Sequence, residues 1–386
     1  MLPAFNSNLL PGEEVDQILV HLQPFVQGLR VELGWREVGV ELRIGRKLIR
    51  QCQRDRRAVD RLRRGLDEVG AVVTSINAFP LLPFQDQSRK QQVYEPDWTR
   101  MERQELSQAL IPIACALVAT DPVCISTLPG SYKPWGARAN DPKRIAAAWG
   151  RWAAAAWQHR TSHSRQAVLC PEPEPWCTLE NSHELAAFWQ GPMAHVGLSA
   201  AAAQLGDRGA AQEACRQHLG YCHDTCHVSV AAESQEEFIQ RAQSAGLTPQ
   251  KCQFAAAAEV QLPAGLAALR ALDEPRFLHQ SLLLEARDGY WRLADLNELD
   301  VGQRRLPTAD RARSHFHLPI TWMDERDGLR ATVSEAEAGV RACLAAGCQT
   351  VAVETYTWSV LAQEARDPLC GTARELDRLA TLLAAS

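Results

Sequence analysis

The chain has 386 residues, 46% hydrophobic and 23% charged, an ordinary globular composition whose length admits one large barrel with insertions. Lys and Arg number 41 against 46 Asp and Glu, and the net charge of −5 argues against a nucleic-acid coat or a basic membrane-surface binder. The longest apolar stretch, 109–119, contains Pro112 and falls short of the roughly 20 residues that span a bilayer; with no signal-peptide pattern after Met1, a cytoplasmic protein without membrane insertion is expected.

In chain order, a short strand-like run at 2–6 precedes a second at 38–44. The segment 46–64 then carries nine basic residues: Arg46, Lys47, Arg50, Arg54, Arg56, Arg57, Arg61, Arg63 and Arg64. A nucleic-acid face would use such a cluster, but in an acidic chain the expectation is a solvated helix. Positions 55–68 read as a helix closed by Gly70, and 72–77 as a strand. The connection 80–100 is rich in aromatic and polar residues. A strand at 124–128 leads to a helical segment in which Trp149, Trp152 and Trp157 recur as packing residues. After a strand at 167–172, Asn181 and Glu184 mark a helix start. A strand at 219–224 is followed by a capping box at Ser234 and Glu237, and then by a strand at 251–255. Ser334 and Glu337 repeat the capping box. Their helix ends near Gly347, ahead of a last strand at 349–354 and a helix at about 372–384.

Eight strand-like runs separated mostly by helices imply parallel βα units, and eight units suggest closure into a single (β/α)8 barrel spanning 1–386. Two further strand-like pieces, 276–280 and 314–320, fall in an insertion at about 256–333, between the last two barrel strands. No Gly-x-Gly-x-x-Gly loop supports a dinucleotide fold. The twelve cysteines are scattered and contain no Cys-x-x-Cys pair, so buried free thiols are expected.

A barrel does its chemistry at the C-terminal ends of its strands. Here those ends carry Asn77, Glu172 with Glu174, Asp224 with His227, Gln253 and Glu354, and the insertion adds His279, His315 and His317. Three converging carboxylates, Glu172, Asp224 and Glu354, would repel one another unless a divalent cation (Mn, Mg or Zn) lay between them, with His227 and His317 as co-ligands. Glu174 is an alternative to Glu172, since both fall on one strand face, and the spacing of His315 and His317 puts them on one face too. Glu172, Glu354 and His227 are the catalytic candidates. Asn77, Tyr94, Trp98, Lys133, Glu174, Glu180, Gln253, His279, His315 and Trp358 are candidates for binding a small-molecule substrate.

The runs Asn77-Ala78-Phe79-Pro80, Gln92 through Trp98, Ile125-Ser126-Thr127-Leu128-Pro129, Glu172-Pro173-Glu174-Pro175, Asp224-Thr225-Cys226-His227, His315-Phe316-His317 and Val353 through Trp358 together resemble the EboE-type metabolite-traffic proteins, a branch of the xylose-isomerase-like barrels. The resemblance runs from about Asn6 to Trp358. It implies a protein encoded with others of a secondary-metabolite export cluster, which would be its partners. It also implies a metal between Glu172, Asp224 and Glu354, in a superfamily that holds sugar isomerases, epimerases and an endonuclease branch. Gln253 stands where that superfamily has a metal-binding histidine. No histidine stands at Asn77 or Thr127, which argues against the three-zinc site of the endonucleases. The sequence therefore leaves three functions open: a metal-dependent isomerase or epimerase, a metabolite-binding carrier, and, least supported, a phosphodiesterase.

Overall fold

The computed structural model describes residues 1–83, 89–285, 289–299, 309–322, 328–361 and 367–385. Parts of the connection 80–100 and of the insertion 256–333 thus lie outside the described residues. Seven barrel strands come in sequence: β1 (Ala4–Asn6), β2 (Val38–Arg43), β3 (Ala71–Asn77), β4 (Val123–Thr127), β5 (Ala167–Pro171), β6 (Tyr221–Asp224) and β7 (Pro249–Phe254). All but Val72 and Gln250 of their residues are buried, as a parallel sheet covered by helices on its outer face demands. Five strands then follow outside the barrel: β8 (Ala256–Gln261), β9 (Ser281–Glu285), β10 (Tyr290–Leu293), β11 (Ala309–Leu318) and β12 (Leu329–Ala331). The chain returns to the barrel with β13 (Val351–Val353).

The barrel sheet runs β5-β4-β3-β2-β1-β13-β7-β6, parallel throughout. Its ends meet through one parallel bridge, Leu169 to Leu219, where the Gly220 amide donates to the Leu169 carbonyl at 3.0 Å. Side chains add to the closure there: His218 Nδ1 meets the Ala167 carbonyl at 2.7 Å, and Gln166 Nε2 donates to the Gln217 carbonyl at 2.7 Å. The second sheet is antiparallel, in the order β10-β9-β11-β8-β12, with its own apolar core around Val260, Leu283, Ala312 and Phe316. Only Ala255 separates β7 from β8. Because Leu318 pairs with Ala256, the C-terminal end of β11 comes down beside the top of β7. That register brings insertion residues to the barrel mouth.

Several sequence expectations shift. The helix expected at 55–68 is Arg57–Asp67, and a separate helix, Arg46–Arg54, precedes it. Both bury Leu48, Ile49, Ala58, Leu62 and Leu66 and turn the basic residues outward, where Arg50, Arg61 and Arg63 pair with Glu102, Asp55 and Asp60. Gly70, at φ +71°, takes the left-handed turn ahead of β3. Residues 276–280 are irregular, and the strand begins at Ser281. Ser334 does not cap its helix. Val333–Ala345 starts one residue earlier, and the hydroxyl of the flanking Thr332 accepts from the Ala257 amide of the second sheet. Ser234 and Asn181 do cap, accepting from the Glu237 and Glu184 amides. All twelve cysteines are free thiols. No described helix is long and apolar enough to cross a membrane.

The C-terminal helix, Pro368–Ala384, contributes a buried carboxyl. Glu375 Oε1 accepts from the Ile320 amide (3.0 Å) and the Thr355 hydroxyl (2.7 Å), while Oε2 has no partner. Burial outweighs those two hydrogen bonds and pushes its pKa up to about 8. A carboxyl whose folded pKa is raised gives full stability below its ordinary pKa and loses it as pH rises through the folded value, at about 1.4 kcal/mol per pH unit in between. Glu375→Gln is therefore expected to flatten the decline in melting temperature between pH 6 and pH 9. Parallel pH profiles of wild type and variant would refute this.

Candidate metal centre

The strand ends of β5, β6 and β13, together with the end of β11, line a cavity of about 70 Å³, bounded by Asn8, Asn77, Tyr94, Glu172, Glu174, His227, Gln280, His315, His317 and Glu354 and walled by Phe79, Phe277 and Tyr356. A space of this size admits an ion with a few waters, or the reactive end of a larger ligand.

Carboxylates form one side. Glu172, Asp224 and Glu354 are buried, and one oxygen from each lies within 4.8 Å of the others. Asp224 Oδ1 accepts from the Cys226 and His227 amides (2.8 and 3.0 Å), which caps the short helix Thr225–Val230 and fixes the carboxylate; Oδ2 has no partner. Glu172 Oε2 is likewise unpartnered. Glu354 Oε1 accepts from the side-chain amides of Asn6 and Asn8, both at 2.7 Å, and more weakly from Asn77 at 3.4 Å. Burial first, and then mutual repulsion, raise the Glu172 and Glu354 carboxyls well above the usual range. Buried carboxyls of this kind, with unpartnered oxygens on Glu172 and Asp224, are the donors a divalent cation takes.

Histidines form the other side. The Nε2 atoms of His227 and His315 are 3.1 Å apart, those of His315 and His317 3.1 Å, and those of His317 and His227 3.4 Å. Each Nδ1 faces an acceptor: the Pro173 carbonyl (3.0 Å), Gln280 Oε1 (2.8 Å) and the Glu354 carbonyl (2.9 Å), respectively. With the proton held at Nδ1, each ring turns a lone pair inward from Nε2. Asp224 Oδ2 lies 3.9 Å from His227 Nε2 and 4.0 Å from His317 Nε2. Burial is the main force holding all three imidazoles below their ordinary pKa; neighbouring histidines add to it at His227 and His315, and Asp224 opposes it at His315 and His317. Neutral imidazole is the form that ligates metal.

Beyond His315 runs a polar chain. Gln280 Nε2 donates to the Tyr94 hydroxyl at 2.6 Å, and that hydroxyl donates to Glu174 Oε1 at 3.1 Å. Burial lifts Glu174 to about 8, against the hydrogen bonds from Tyr94 and Cys177. Beneath the carboxylates lies an ion pair. Lys251 Nζ is 2.7 Å from Glu41 Oε2, and neither side chain is exposed. Glu41 Oε1 accepts from Asn6 at 2.6 Å, so the Asn6 amide links Glu41 to Glu354.

Among the sequence candidates, Asn77, Tyr94, Glu172, Glu174, His227, His315, His317 and Glu354 line the cavity, and Asp224 stands beside it. The others point elsewhere. Gln253 alternates down into the barrel, where its amide donates to Glu41 at 3.3 Å; the histidines of β11 occupy the mouth above it. Trp98 packs edge-on to Trp149 in the outer core. Lys133 and Glu180 pair with each other at 2.6 Å, and Glu180 also with Arg292, on a separate surface groove. His279 sits on the opposite side of β11, stacked on Phe316 at 3.8 Å. Trp358 lies against the C-terminal helix at Gly371, where even a Cβ would come within 2.2 Å of its ring. Sequence reasoning missed Asn6, Asn8, Glu41, Lys251, Gln280 and Tyr356. The signal was there for two of them: a charged side chain in the interior of each of the strands Val38–Arg43 and Pro249–Phe254.

No protein-family model matches the chain, and no curated protein matches it. Solved structures do. A putative sugar phosphate isomerase/epimerase from Anabaena variabilis aligns over 100% of this chain and 98% of its own, at 13% identity and a TM-score of 0.52. A xylose isomerase domain protein from Alicyclobacillus acidocaldarius aligns over 100% and 98% at 13% identity and TM-score 0.47, and the 3-keto-D-glucoside 4-epimerase of E. coli over 99% and 99% at 10% identity and TM-score 0.48. At such identities the likeness speaks for the fold alone, and the Anabaena structure carries it: the chain has the parallel eight-stranded (β/α)8 barrel fold.

Proposed function

We propose that this chain is a divalent-metal enzyme that moves a proton beside the carbonyl of a small polyhydroxylated metabolite, as an isomerase or epimerase. The observation that carries the reading is the buried trio Glu172, Asp224 and Glu354, with an unpartnered oxygen on Glu172, which lines a small cavity, and another on Asp224 beside it. These three residues would hold the cation, which when bound supplies Lewis-acid polarisation of a carbonyl. Magnesium or manganese suits their oxygens, and zinc becomes competitive where the histidines contribute.

The chain's own groups do the rest. Glu172, whose carboxylate lines the cavity, takes the proton from one carbon and returns it to the next with the oxygen that does not hold the cation. Asn6 and Asn8 hold Glu354 in place through its Oε1. Phe79, Phe277 and Tyr356 give apolar faces to the carbon skeleton. The role in metabolite export implied by the EboE-type resemblance fits a substrate that is a secondary-metabolite precursor.

The test is deuterium uptake. The metal-loaded protein, incubated in D2O with a panel of ketoses, aldoses and inositols, is expected to place deuterium next to a carbonyl, detected by NMR. Glu172→Gln should slow that uptake by about 10²–10⁴-fold. One other reading, a carrier that binds without turnover, rests on Gln253, which stands level with Asp224 but donates to Glu41. Saturable metabolite binding with no exchange in any substrate would establish the carrier and overturn the enzyme.

A further inference from the structure

We propose that a groove beside the barrel mouth, lined by Trp135, is a second binding site of this chain, and that it takes a neutral hydroxylated ring joined to the unit seated in the cavity. The inference rests on the proposed function in taking the ligand as polyhydroxylated. It adds that the ligand is a glycoside of two linked units.

Size and continuity are the first argument. The cavity, at about 70 Å³, takes the reactive end of a ligand, and the groove, at about 530 Å³, has room for the rest. Small-molecule sites run from roughly 300 to 1,000 Å³. Leu278 lines both spaces. Tyr132 on the groove side stacks on Tyr94 on the cavity side, with ring centres 4.8 Å apart and planes within 6° of parallel. The turn Lys90–Tyr94 also serves both, with Lys90 and Gln91 at the groove and Val93 and Tyr94 at the cavity. A ligand seated in the cavity therefore has the groove as its neighbour across one leucine side chain.

The chemistry of the groove is the second argument. Trp135 is half-buried and stands at right angles beside the tyrosine pair, at 79° to Tyr132 and 83° to Tyr94, which fixes the indole as a flat apolar wall. Around it, the side-chain amides of Gln91 and Asn297 have no hydrogen-bond partner among the described residues. Glu298 uses one oxygen on the Ala294 amide and leaves the other to the groove. Amides that both donate and accept, beside a carboxylate that accepts, match hydroxyl groups, which do both. Lys90 and Asp295 offset each other at 2.7 Å. The remaining charge among the described lining residues is negative, at Glu298, so a phosphate or carboxylate is repelled and a neutral ring is not. The groove at Glu180 differs: Lys133 and Arg292 take up that carboxylate, and Arg292 covers the Trp176 ring at 4.6 Å.

The insertion creates this groove. The barrel supplies the indole, on the turn Lys133–Trp135 that follows β4, and the insertion supplies Asn297 and Glu298, on the turn Leu296–Glu298 that follows β10. Asp295 ties the two banks together. Its Oδ1 accepts from the His279 and Leu296 amides, and its Oδ2 accepts from Lys90 of the connection 80–100. The polar groups of one bank are thus held at a fixed height against the aromatic wall of the other, as a preorganised site requires.

The experiment is calorimetric titration of the full-length, metal-loaded protein with D-glucose and with maltose, cellobiose, trehalose and sucrose. At least one disaccharide is expected to bind about tenfold or more tighter than glucose. Trp135→Ala should bring that disaccharide down to the level of glucose. Asn297 is exposed, so Asn297→Ala keeps the test independent of any folding defect in the tryptophan variant. It should weaken the disaccharide by about 2–10-fold, the worth of one hydrogen bond, and leave glucose unchanged. Equal affinity for glucose and all four disaccharides, or a preference that survives both substitutions, would overturn the groove site. So would a lack of binding by every sugar. In each case the metal-enzyme reading would still stand or fall on deuterium uptake, which single ketoses, aldoses and inositols report from the cavity alone. A disaccharide preference lost in both variants, without deuterium uptake in any sugar, would uphold the groove and make the chain a glycoside carrier.

Discussion

Lys251→Met is expected to destabilise the protein by about 3–5 kcal/mol, the typical cost of removing one partner from a buried ion pair. Lys251 Nζ sits 2.7 Å from Glu41 Oε2 and donates to Ser126 Oγ at 2.7 Å, with no exposure of either charged side chain. Burial works against the Lys251 charge, but Glu41 and the nearby Glu172 outweigh it and hold the ammonium above its ordinary pKa. Without Lys251, the Glu41 carboxylate keeps hydrogen bonds from Asn6, Ser75, Asn77 and Gln253 but no counter-charge. Glu41→Gln should destabilise similarly by stranding the lysine. The double variant Lys251→Met/Glu41→Gln should recover much of the loss, because it removes both charges together. Urea denaturation of the four proteins measures this cycle. Additive losses, or a single variant within about 1 kcal/mol of wild type, would show that the pair is not the structural unit described.

That pair also bears on the site above it. Asn6 donates one amide hydrogen to Glu41 and the other to Glu354, so a disturbed Glu41 disturbs the orientation of a carboxylate at the cavity wall. The layers of this barrel are thus coupled through Asn6 and, at longer distances, through Asn77, which also donates to both carboxylates. Lys251→Met should weaken metal binding even in molecules that remain folded, and equilibrium metal titration below the unfolding transition reads this directly.

How much of this the sequence makes legible depends on where each residue gets its partners. Barrel strands were readable because parallel strands buried on both faces must be apolar for their whole length, as Val38–Arg43 and Ala167–Pro171 largely are. The ends of those strands were readable for the same reason: Glu172, Asp224 and Glu354 break the apolar runs. Side-chain direction was less readable. Gln253 is level with Asp224 across the sheet, yet it turns into the barrel, and no local pattern distinguishes a residue at the mouth from one in the layer below. The second sheet was hardest. Its pairing of β11 with β8 joins residues 50 to 62 positions apart, and only that register tells His315 and His317 from His279. Long-range register leaves no trace in local periodicity.

Asp224→Asn is expected to empty the cavity of metal while raising the stability of the metal-free protein. Asparagine caps a helix about as well as aspartate, so the hydrogen bonds from the Cys226 and His227 amides survive the change. What disappears is the unpartnered Oδ2 charge, which groups with Glu172 and Glu354 on one side and with two histidines on the other. Its loss removes a repulsion that raises both neighbouring carboxyls. In chelator, the variant should therefore melt above wild type. With metal at about a thousand times its dissociation constant, wild type should gain about 4 kcal/mol by mass action and overtake the variant, which gains little. The order of the two melting curves should thus invert on adding metal, and both stoichiometry and turnover should fall together in the variant. A chelator that leaves the wild-type melting curve unmoved, or a variant that keeps its full metal content, would refute the prediction. Inversion is the signature to look for because a merely structural aspartate would lower stability under both conditions.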